Sequence, residues 1–106
     1  LNRAVNEKAS AIVVTGSGAL FSSGLDILEF ALKRYTNSPT IQDVANMLEH
    51  TKVPIVCGLH GAALGGGMDI ALASHFRLAA AGCKIGFPDV KLGLTSGSSF
   101  CVFVLL

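Results

Sequence analysis

The chain has 106 residues, of which 51% are hydrophobic and 14% are charged, and its net charge is +1. This composition argues against an intrinsically disordered chain, and a near-neutral charge without a basic run gives no sign of nucleic acid or an anionic membrane as a partner. The longest apolar runs fall far short of the ~20 residues that a membrane-spanning helix needs. The length allows one small domain with one hydrophobic core.

The three cysteines, Cys57, Cys83 and Cys101, are an odd number and none lies close to another in the sequence. This usage predicts a reduced, intracellular compartment rather than a disulfide framework. The chain begins at Leu1, without a methionine or a signal-like segment. We therefore expect an intracellular piece of a larger protein.

The first predicted elements are the end of an amphipathic helix over residues 1–8 and a strand over residues 11–15. The strand reads AIVVT, a β-branched run typical of a strand that is buried on both faces. A Gly-Ser-Gly turn follows it, as in a dinucleotide-binding fingerprint, but Phe21 stands where the third glycine would be needed. A nucleotide-binding α/β domain is therefore disfavoured.

The middle of the chain predicts further helices and a second strand. Residues 27–35 have a helical pattern, and Thr40 is a good N-cap for a helix that ends near His50. This helix is amphipathic, with an apolar stripe formed by Ile41, Val44, Ala45 and Leu48. Residues 53–58 predict a second buried strand, with Pro54 near its start, where a missing N–H donor is tolerated.

Three consecutive glycines, Gly65, Gly66 and Gly67, precede a helix-competent run that opens with Met68 and Asp69. Glycine is costly in backbone entropy, so a triplet indicates a sharp turn or the close approach of another group. The start of a helix offers unpaired N–H groups and the positive end of its dipole. The triplet therefore predicts an anion cradle made of backbone N–H groups.

A second small-residue turn, Phe21-Ser22-Ser23-Gly24-Leu25-Asp26, follows the first strand. The residues alone leave two interpretations open. The turn is either a loop in which Asp26 caps the next element, or a second place where backbone N–H groups face a ligand.

The last part of the chain is less clearly patterned. Residues 76–79 predict either a third strand or a continuation of the preceding helix to Ala81, and residues 83–87 predict a short extended segment. Turns are expected at Pro88-Asp89 and at Gly93. Because strands alternate with helices, the expected class is α/β with a largely parallel sheet. Ligands of such sheets gather at the carboxyl ends of the strands, where we expect both turns to lie.

Three stretches together carry a resemblance to a known family. They read IVVTGSGALFSSGLDI, KVPIVCGLHGAALGGGMDIALASHFRLA and IGFPDVKLGL, and they cover most of the chain from Ala11 to Leu94. The sequence is similar to the crotonase family of enoyl-CoA hydratases and isomerases, especially to the hydratase–isomerase module of peroxisomal-type multifunctional enzymes. The resemblance implies an α/β crotonase-like spiral of β-β-α units, here incomplete at both ends.

The resemblance also implies how the chain is divided and where the protein works. Residues 1–94 would be a partial acyl-CoA-binding domain, and residues 95–106 a divergent apolar tail in place of the family's glycine-rich loop and later helices. The parent protein would be a homo-oligomer (trimer or hexamer) or part of a multifunctional enzyme. Its compartment would be the mitochondrion or peroxisome in a eukaryote and the cytoplasm in a bacterium.

By resemblance, the carbonyl of an acyl-CoA thioester lies between two backbone N–H groups, which match Leu25 and Gly66. Preorganised donors of this kind stabilise the negative charge that develops on the carbonyl oxygen. The neighbouring residues expected to contact substrate are Ser23, Gly24, Asp26 and Gly65. No separate cofactor is implied, because coenzyme A is part of the substrate.

The acid–base residues that match the family are Asp69 and Asp89, which stand where its hydratases have two glutamates. Two carboxylates could hold a water and move the protons of a hydration. Each aspartate is one methylene shorter than glutamate, and each also has a purely structural interpretation. Asp69 could be a first-turn carboxylate favoured by the helix dipole, and Asp89 could be a turn residue after Pro88.

Hydration of a trans-2-enoyl-CoA is the leading reaction. Double-bond isomerisation, which needs only one carboxylate, and a non-catalytic thioester-binding fragment remain alternatives.

Other sequence motifs point to no further chemistry. His50, His60 and His75 lack metal-ligand spacing with the cysteines, so we interpret them as surface or packing residues and expect no metal. The chain has no G-x-S-x-G nucleophile elbow, and the glycine triplet lacks the Gly-Lys-Ser/Thr of a phosphate-binding P-loop.

Overall fold

The computed structural model describes residues 1–24, 39–88, 91 and 93. These residues form an α/β arrangement, as predicted. Its elements, in chain order, are α1 (Asn2–Asn6), β1 (Ile12–Thr15), α2 (Ile41–His50), β2 (Ile55–Leu59), β3 (Ala62–Leu64), α3 (Gly66–Ala73), β4 (Phe76–Ala79) and β5 (Lys84–Gly86). Within these ranges, no helix is both long enough and apolar enough to span a membrane.

The strands form two parallel sheets. The larger has the order β1-β2-β4, with Ile12 opposite Ile55 and Val56 opposite Phe76. The smaller pairs β3 with β5. Parallel neighbours need crossover connections, and the chain supplies them with α2 before β2 and α3 before β4. The predicted preference for parallel pairing is confirmed.

Strand β2 is the centre of the core, because alternate residues along it are buried. Ile55 and Cys57 are fully buried and Leu59 is 4% exposed. Ile55 packs with Ala45 and Leu48 of α2 and with Ala73 of α3 in one apolar cluster. Cys57 and Leu59 belong to a second apolar cluster, with Ala63 of β3 and Ala71 of α3. The core therefore lies between β2 and the two longer helices.

The opposite face of the larger sheet is exposed, which corrects the expectation that β1 is buried on both faces. Val13 is 73% exposed, and Phe76 and Leu78 of β4 are 63% and 70% exposed. Val56 of β2 is paired with Val13 on one side and with Phe76 on the other, so the side chains of Val13, Val56 and Phe76 lie on the same face of the sheet. The β-branched run predicted a strand correctly, but composition does not report what covers each face.

The remaining expectations for individual elements are largely confirmed. The strand expected over 53–58 begins at Ile55, after Pro54, and the uncertain segment 76–79 is a strand rather than helix. Strand β3 is an element that the sequence did not predict, since a three-residue Ala-Ala-Leu segment carries no strand pattern. The helix expected over 27–35 and the apolar tail over 95–106 lie outside the described residues.

Thr40 caps α2 as predicted, in a reciprocal capping box. Its hydroxyl accepts from the backbone N–H of Asp43 at 3.1 Å, and the Asp43 carboxylate accepts from the backbone N–H of Thr40 at 2.8 Å. The carboxylate also accepts from the Thr40 hydroxyl at 2.7 Å. The hydrogen bonds from the side chain and then the backbone of Thr40 lower the pKa of Asp43. Two of the orphan N–H groups at this helix start are therefore satisfied locally.

The capping box yields a stability prediction. Replacing Thr40 by alanine (Thr40→Ala) leaves the Asp43 N–H without its side-chain acceptor, and we expect the free energy of unfolding to fall by about 1 kcal/mol. Denaturant unfolding of the protein that carries this chain measures the change. Glu49→Ala, at an exposed site in the last turn of the same helix, is the control and should stay within about 0.5 kcal/mol of the wild type. Equal effects of the two substitutions would contradict a capping role.

Candidate functional site

The glycine triplet turns the chain from β3 into α3. Gly65 has a φ of 52°, in the region that favours glycine, and it is the N-cap of the helix. Its carbonyl accepts from the backbone N–H groups of Met68 at 2.9 Å and of Asp69 at 3.1 Å. Gly66 and Gly67 are the first two helical residues, and N–H groups at these positions have no acceptor within a helix. The predicted helix start at the triplet is therefore correct, although the helix begins two residues before Met68.

The second turn, at Ser22 to Gly24, lies beside β3. Ser22 forms a parallel bridge with Ala63, and its backbone N–H donates to the carbonyl of Ala62 at 3.0 Å. The backbone N–H of Leu64 in turn donates to the carbonyl of Ser22 at 2.9 Å. Gly24 then turns away with a φ of 102°, and its N–H donates to the Ser22 hydroxyl at 3.2 Å. Backbone pairing thus fixes this turn against the strand that leads into the glycine triplet.

The two turns touch, with glycine at the points of contact. A Cβ atom placed on Gly24 would lie 3.0 Å from the carbonyl oxygen of Leu64 and 3.5 Å from the backbone nitrogen of Gly66. A Cβ atom placed on Gly67 would lie 2.5 Å from Ser22 Cβ and 2.7 Å from its hydroxyl oxygen. A methyl group on Gly67 would therefore not fit against Ser22. The structure therefore brings together the two turns that the sequence singled out separately.

The site lies at the carboxyl ends of the smaller sheet. Strand β3 ends directly before Gly65, whose N–H donates to the carbonyl of Gly86, the last residue of β5, at 3.0 Å. The glycine triplet therefore lies at the carboxyl ends of two parallel strands, β3 and β5, the kind of edge at which we expected the turns to lie. Because β3 was not predicted, the sequence could not indicate this placement.

The structure positions some of the predicted site residues and not others. Gly24, Gly65 and Gly66 lie together, and Ser23 is exposed beside them. Asp69 is 4% exposed and lies in the first turn of α3, three residues after Gly66, where the helix dipole favours a carboxylate. The predicted residues Leu25, Asp26 and Asp89 lie outside the described residues.

Sequence reasoning missed Arg77, which caps the other end of α3. Its guanidinium donates to the carbonyls of Ser74 at 2.6 Å, Ala71 at 3.2 Å and Leu72 at 3.3 Å. A cation is favourable at the negative end of the helix dipole and satisfies the last carbonyls. A basic residue four positions after the last helical residue, Ala73, is the signal that could have identified it. Arg77 therefore holds α3 at the end opposite to the glycine triplet.

Cys57 lies in the core and has no features of a nucleophile. Its sulfur is 3.0 Å from the hydroxyl oxygen of Ser74, which itself donates to the carbonyl of Ile70 at 3.0 Å. Burial raises the pKa of Cys57, and the hydrogen bond to Ser74 and the charge of Arg77 oppose this rise only in part. A raised pKa keeps the thiol protonated, whereas a reactive cysteine has a lowered one.

All three histidines make hydrogen bonds to the backbone. His60 Nε2 donates to the carbonyl of Gly18 at 3.0 Å, and His50 Nδ1 donates to the carbonyl of Asn46 at 2.8 Å. His75 Nδ1 instead accepts from the N–H of Ile55 at 3.2 Å. His60 and His75 thereby support the loop after β1 and the start of β2.

Comparison with curated proteins finds relatives with closely similar sequences. The chain is 41% identical over 91 residues to a probable enoyl-CoA hydratase from Bacillus subtilis (strain 168), and the match covers 81% of this chain and 35% of that protein. It is 36% identical over 94 residues to the human (Homo sapiens) peroxisomal bifunctional enzyme, covering 89% of this chain and 13% of that protein. The chain thus spans about a third or less of the length of these relatives.

Solved structures show the same fold. An enoyl-CoA hydratase from Thermoplasma volcanium GSS1 superposes with a TM-score of 0.84 at 28% identity, over 97% of this chain and 43% of that one. The family model described as enoyl-CoA hydratase/isomerase matches residues 1–105. With its parallel strands and glycine turns, the chain belongs to the enoyl-CoA hydratase/isomerase family, and its fold is part of a crotonase fold.

Proposed function

We propose that the protein carrying this chain is an enoyl-CoA hydratase that adds water to a trans-2-enoyl-CoA in fatty-acid β-oxidation. The observation that supports this most is the contact between the two backbone turns. The position of a Gly24 Cβ is only 3.5 Å from the backbone nitrogen of Gly66. Gly24 directly precedes Leu25 in the sequence, so the turn that leads to one proposed donor residue lies beside the turn that contains the other.

The proposed chemistry depends on these donors. Addition of water across a conjugated thioester puts negative charge on the carbonyl oxygen as an enolate-like transition state forms. Backbone N–H groups that are already fixed in place stabilise this charge without reorganising during the reaction. The first turn of α3 adds the positive end of a helix dipole. In this proposal the N–H groups of Leu25 and Gly66 donate to the thioester carbonyl oxygen. The remaining turn residues line the substrate-binding site: Ser23, Gly24, Asp26 and Gly65.

Asp69 and Asp89 are the proposed acid–base residues. Asp69 lies in the first turn of α3 and is 4% exposed, so it is close to the proposed oxyanion hole and largely shielded from solvent. One carboxylate would take a proton from water while the other delivers a proton to carbon. Strand β5 ends beside Gly65 at Gly86, which is three residues before Asp89 in the sequence.

Isomerisation of an enoyl-CoA double bond is the second candidate function. It moves one proton between two carbons of the same substrate, so a single carboxylate suffices. The side chain of aspartate is one methylene shorter than that of glutamate, and a misplacement of about 1 Å can cost ~100-fold in rate. The shorter side chains therefore harm isomerisation less than hydration, which needs both carboxylates in place. The buried position of Asp69 beside the glycine triplet supports this candidate as well as the first.

The proposal extends to the partners and location of the protein. The substrate would be an acyl-CoA thioester, whose coenzyme A makes a separate cofactor unnecessary. By analogy with the peroxisomal bifunctional enzyme, the protein would be part of a multifunctional enzyme. The alternative is a homo-oligomer, either a trimer or a hexamer. It would work in the peroxisome or mitochondrion of a eukaryote or in the cytoplasm of a bacterium.

The oxyanion hole can be tested by removing one donor without removing the helix. Gly66→Pro deletes the N–H, and proline is well tolerated at the first position of a helix. We expect kcat for crotonyl-CoA hydration to fall by a factor of about 100 or more, as for other lost oxyanion donors. Gly66→Ala is the matched control, because it keeps the N–H and adds a Cβ 3.3 Å from Ile41 Cδ1, the flexible end of a side chain. A folded Gly66→Pro variant as active as Gly66→Ala would contradict the assignment.

The reaction type can be decided with the two aspartates. We expect Asp69→Asn and Asp89→Asn each to lower kcat for hydration by at least ~100-fold, because each amide can no longer transfer the proton. Crotonyl-CoA hydration and 3-enoyl-CoA isomerisation would be assayed side by side, with Glu49→Gln as a surface control. Isomerisation that depends on one aspartate, without measurable hydration, would establish the isomerase. Acyl-CoA binding without either reaction would establish a non-catalytic binding protein.

A further inference from the structure

We infer that Ser22 is a positioning residue for the proposed oxyanion hole: its side chain fixes the distance between the turn at Gly24 and the start of α3. This inference rests on the proposed function. Ser22 is partly buried and belongs to the segment that pairs with β3.

The first part of the argument is a hydrogen bond within the turn. The Ser22 hydroxyl accepts from the backbone N–H of Gly24 at 3.2 Å. A serine that binds the N–H two residues ahead stabilises a turn by replacing a backbone acceptor. Gly24 has a φ of 102°, a conformation in which glycine has much freedom. The Ser22 hydroxyl therefore holds the Ser23–Gly24 peptide, which directly precedes in sequence the residue to which the proposal assigns a donor.

The second part of the argument is packing against the helix. The same hydroxyl oxygen lies 2.7 Å, and Ser22 Cβ lies 2.5 Å, from the place that a Cβ on Gly67 would occupy. The Ser22 side chain therefore packs directly on the Cα of the residue that follows Gly66. One small side chain thus contacts both backbone segments to which the proposal assigns donors.

Through these two contacts, the Ser22 side chain sets the distance between the turn and the start of α3. A larger side chain at position 22 would push α3 away, and a smaller one would release the Gly24 peptide. Either change would alter the spacing of the two donors while leaving the donors themselves in the chain. The expected consequence is weaker stabilisation of the transition state with little change in thioester binding.

The test compares Ser22→Ala with Ser17→Ala, a serine-to-alanine change at an exposed position in the loop after β1. We expect Ser22→Ala to lower kcat by about tenfold, which is the effect expected from losing one hydrogen bond, and to leave KM nearly unchanged. Ser17→Ala should match the wild type in both constants.

An infrared measurement separates positioning from a general loss of folded protein. Hydrogen bonds to a thioester carbonyl lower its stretching frequency, and the position of the band does not depend on the fraction of protein that is active. With 13C-labelled crotonyl-CoA bound, the band of Ser22→Ala should lie between those of free ligand and of the wild-type complex. A band at the wild-type position would overturn the inference.

A compensating pair tests the packing contact. Gly67→Ala alone places a methyl group against Ser22 and should lower both Tm and kcat. Adding Ser22→Gly removes the Cβ and the hydroxyl, and the next atom, the Ser22 carbonyl oxygen, lies 3.2 Å from the new methyl group. The double variant should regain most of the Tm but not kcat, because the acceptor for the Gly24 N–H is still missing. Full recovery of kcat would overturn the inference.

The outcomes distinguish this inference from the proposed function. If the wild-type protein catalyses neither hydration nor isomerisation, the proposed function fails and the role of Ser22 fails with it. If the wild type is active and Ser22→Ala has wild-type kcat, only the inference about Ser22 fails.

Discussion

The close approach of two backbone segments, Ser22 to Gly24 and Gly65 to Gly67, is the constraint on which the rest of the site depends. A Cβ on Gly67 would lie 2.5 Å from Ser22 Cβ, closer than two such atoms can pack. Glycine at this position therefore serves close packing, whereas at Gly24 and Gly65 it serves a positive φ. Strand β3 makes the approach possible, because it pairs with Ser22 on one side and with β5 on the other.

The rest of the fold holds α3 at a fixed place relative to these turns. Strand β2 buries Ile55, Cys57 and Leu59 on the face that the longer helices cover. Arg77 reaches from β4 to the last carbonyls of α3, while the glycine triplet fixes its first turn. A helix held at both ends presents its N-terminal amides with little freedom. Such preorganisation is what stabilisation of a developing negative charge requires.

Backbone donors and side-chain carboxylates place different demands on the sequence. A backbone N–H is supplied by any residue except proline, so the oxyanion proposal depends on conformation and on glycines that permit it. Proton transfer depends on the reach and pKa of a particular side chain, so aspartate in place of glutamate changes what the site can do. This difference is why family membership is established by the fold and motifs, whereas the choice between hydratase and isomerase is left to the experiments on Asp69 and Asp89.

The sequence by itself determined the local elements and the family. A β-branched run, a threonine N-cap and a glycine triplet before a helix each act over a few residues, so β1, α2 and the start of α3 were predictable. Only the tertiary structure decided that β3 exists, that Ser22 packs on Gly67, and that one face of β1 is exposed. These features depend on residues about 40 positions apart in the chain. No local pattern in the sequence records such contacts, because their energy belongs to the packed segments together.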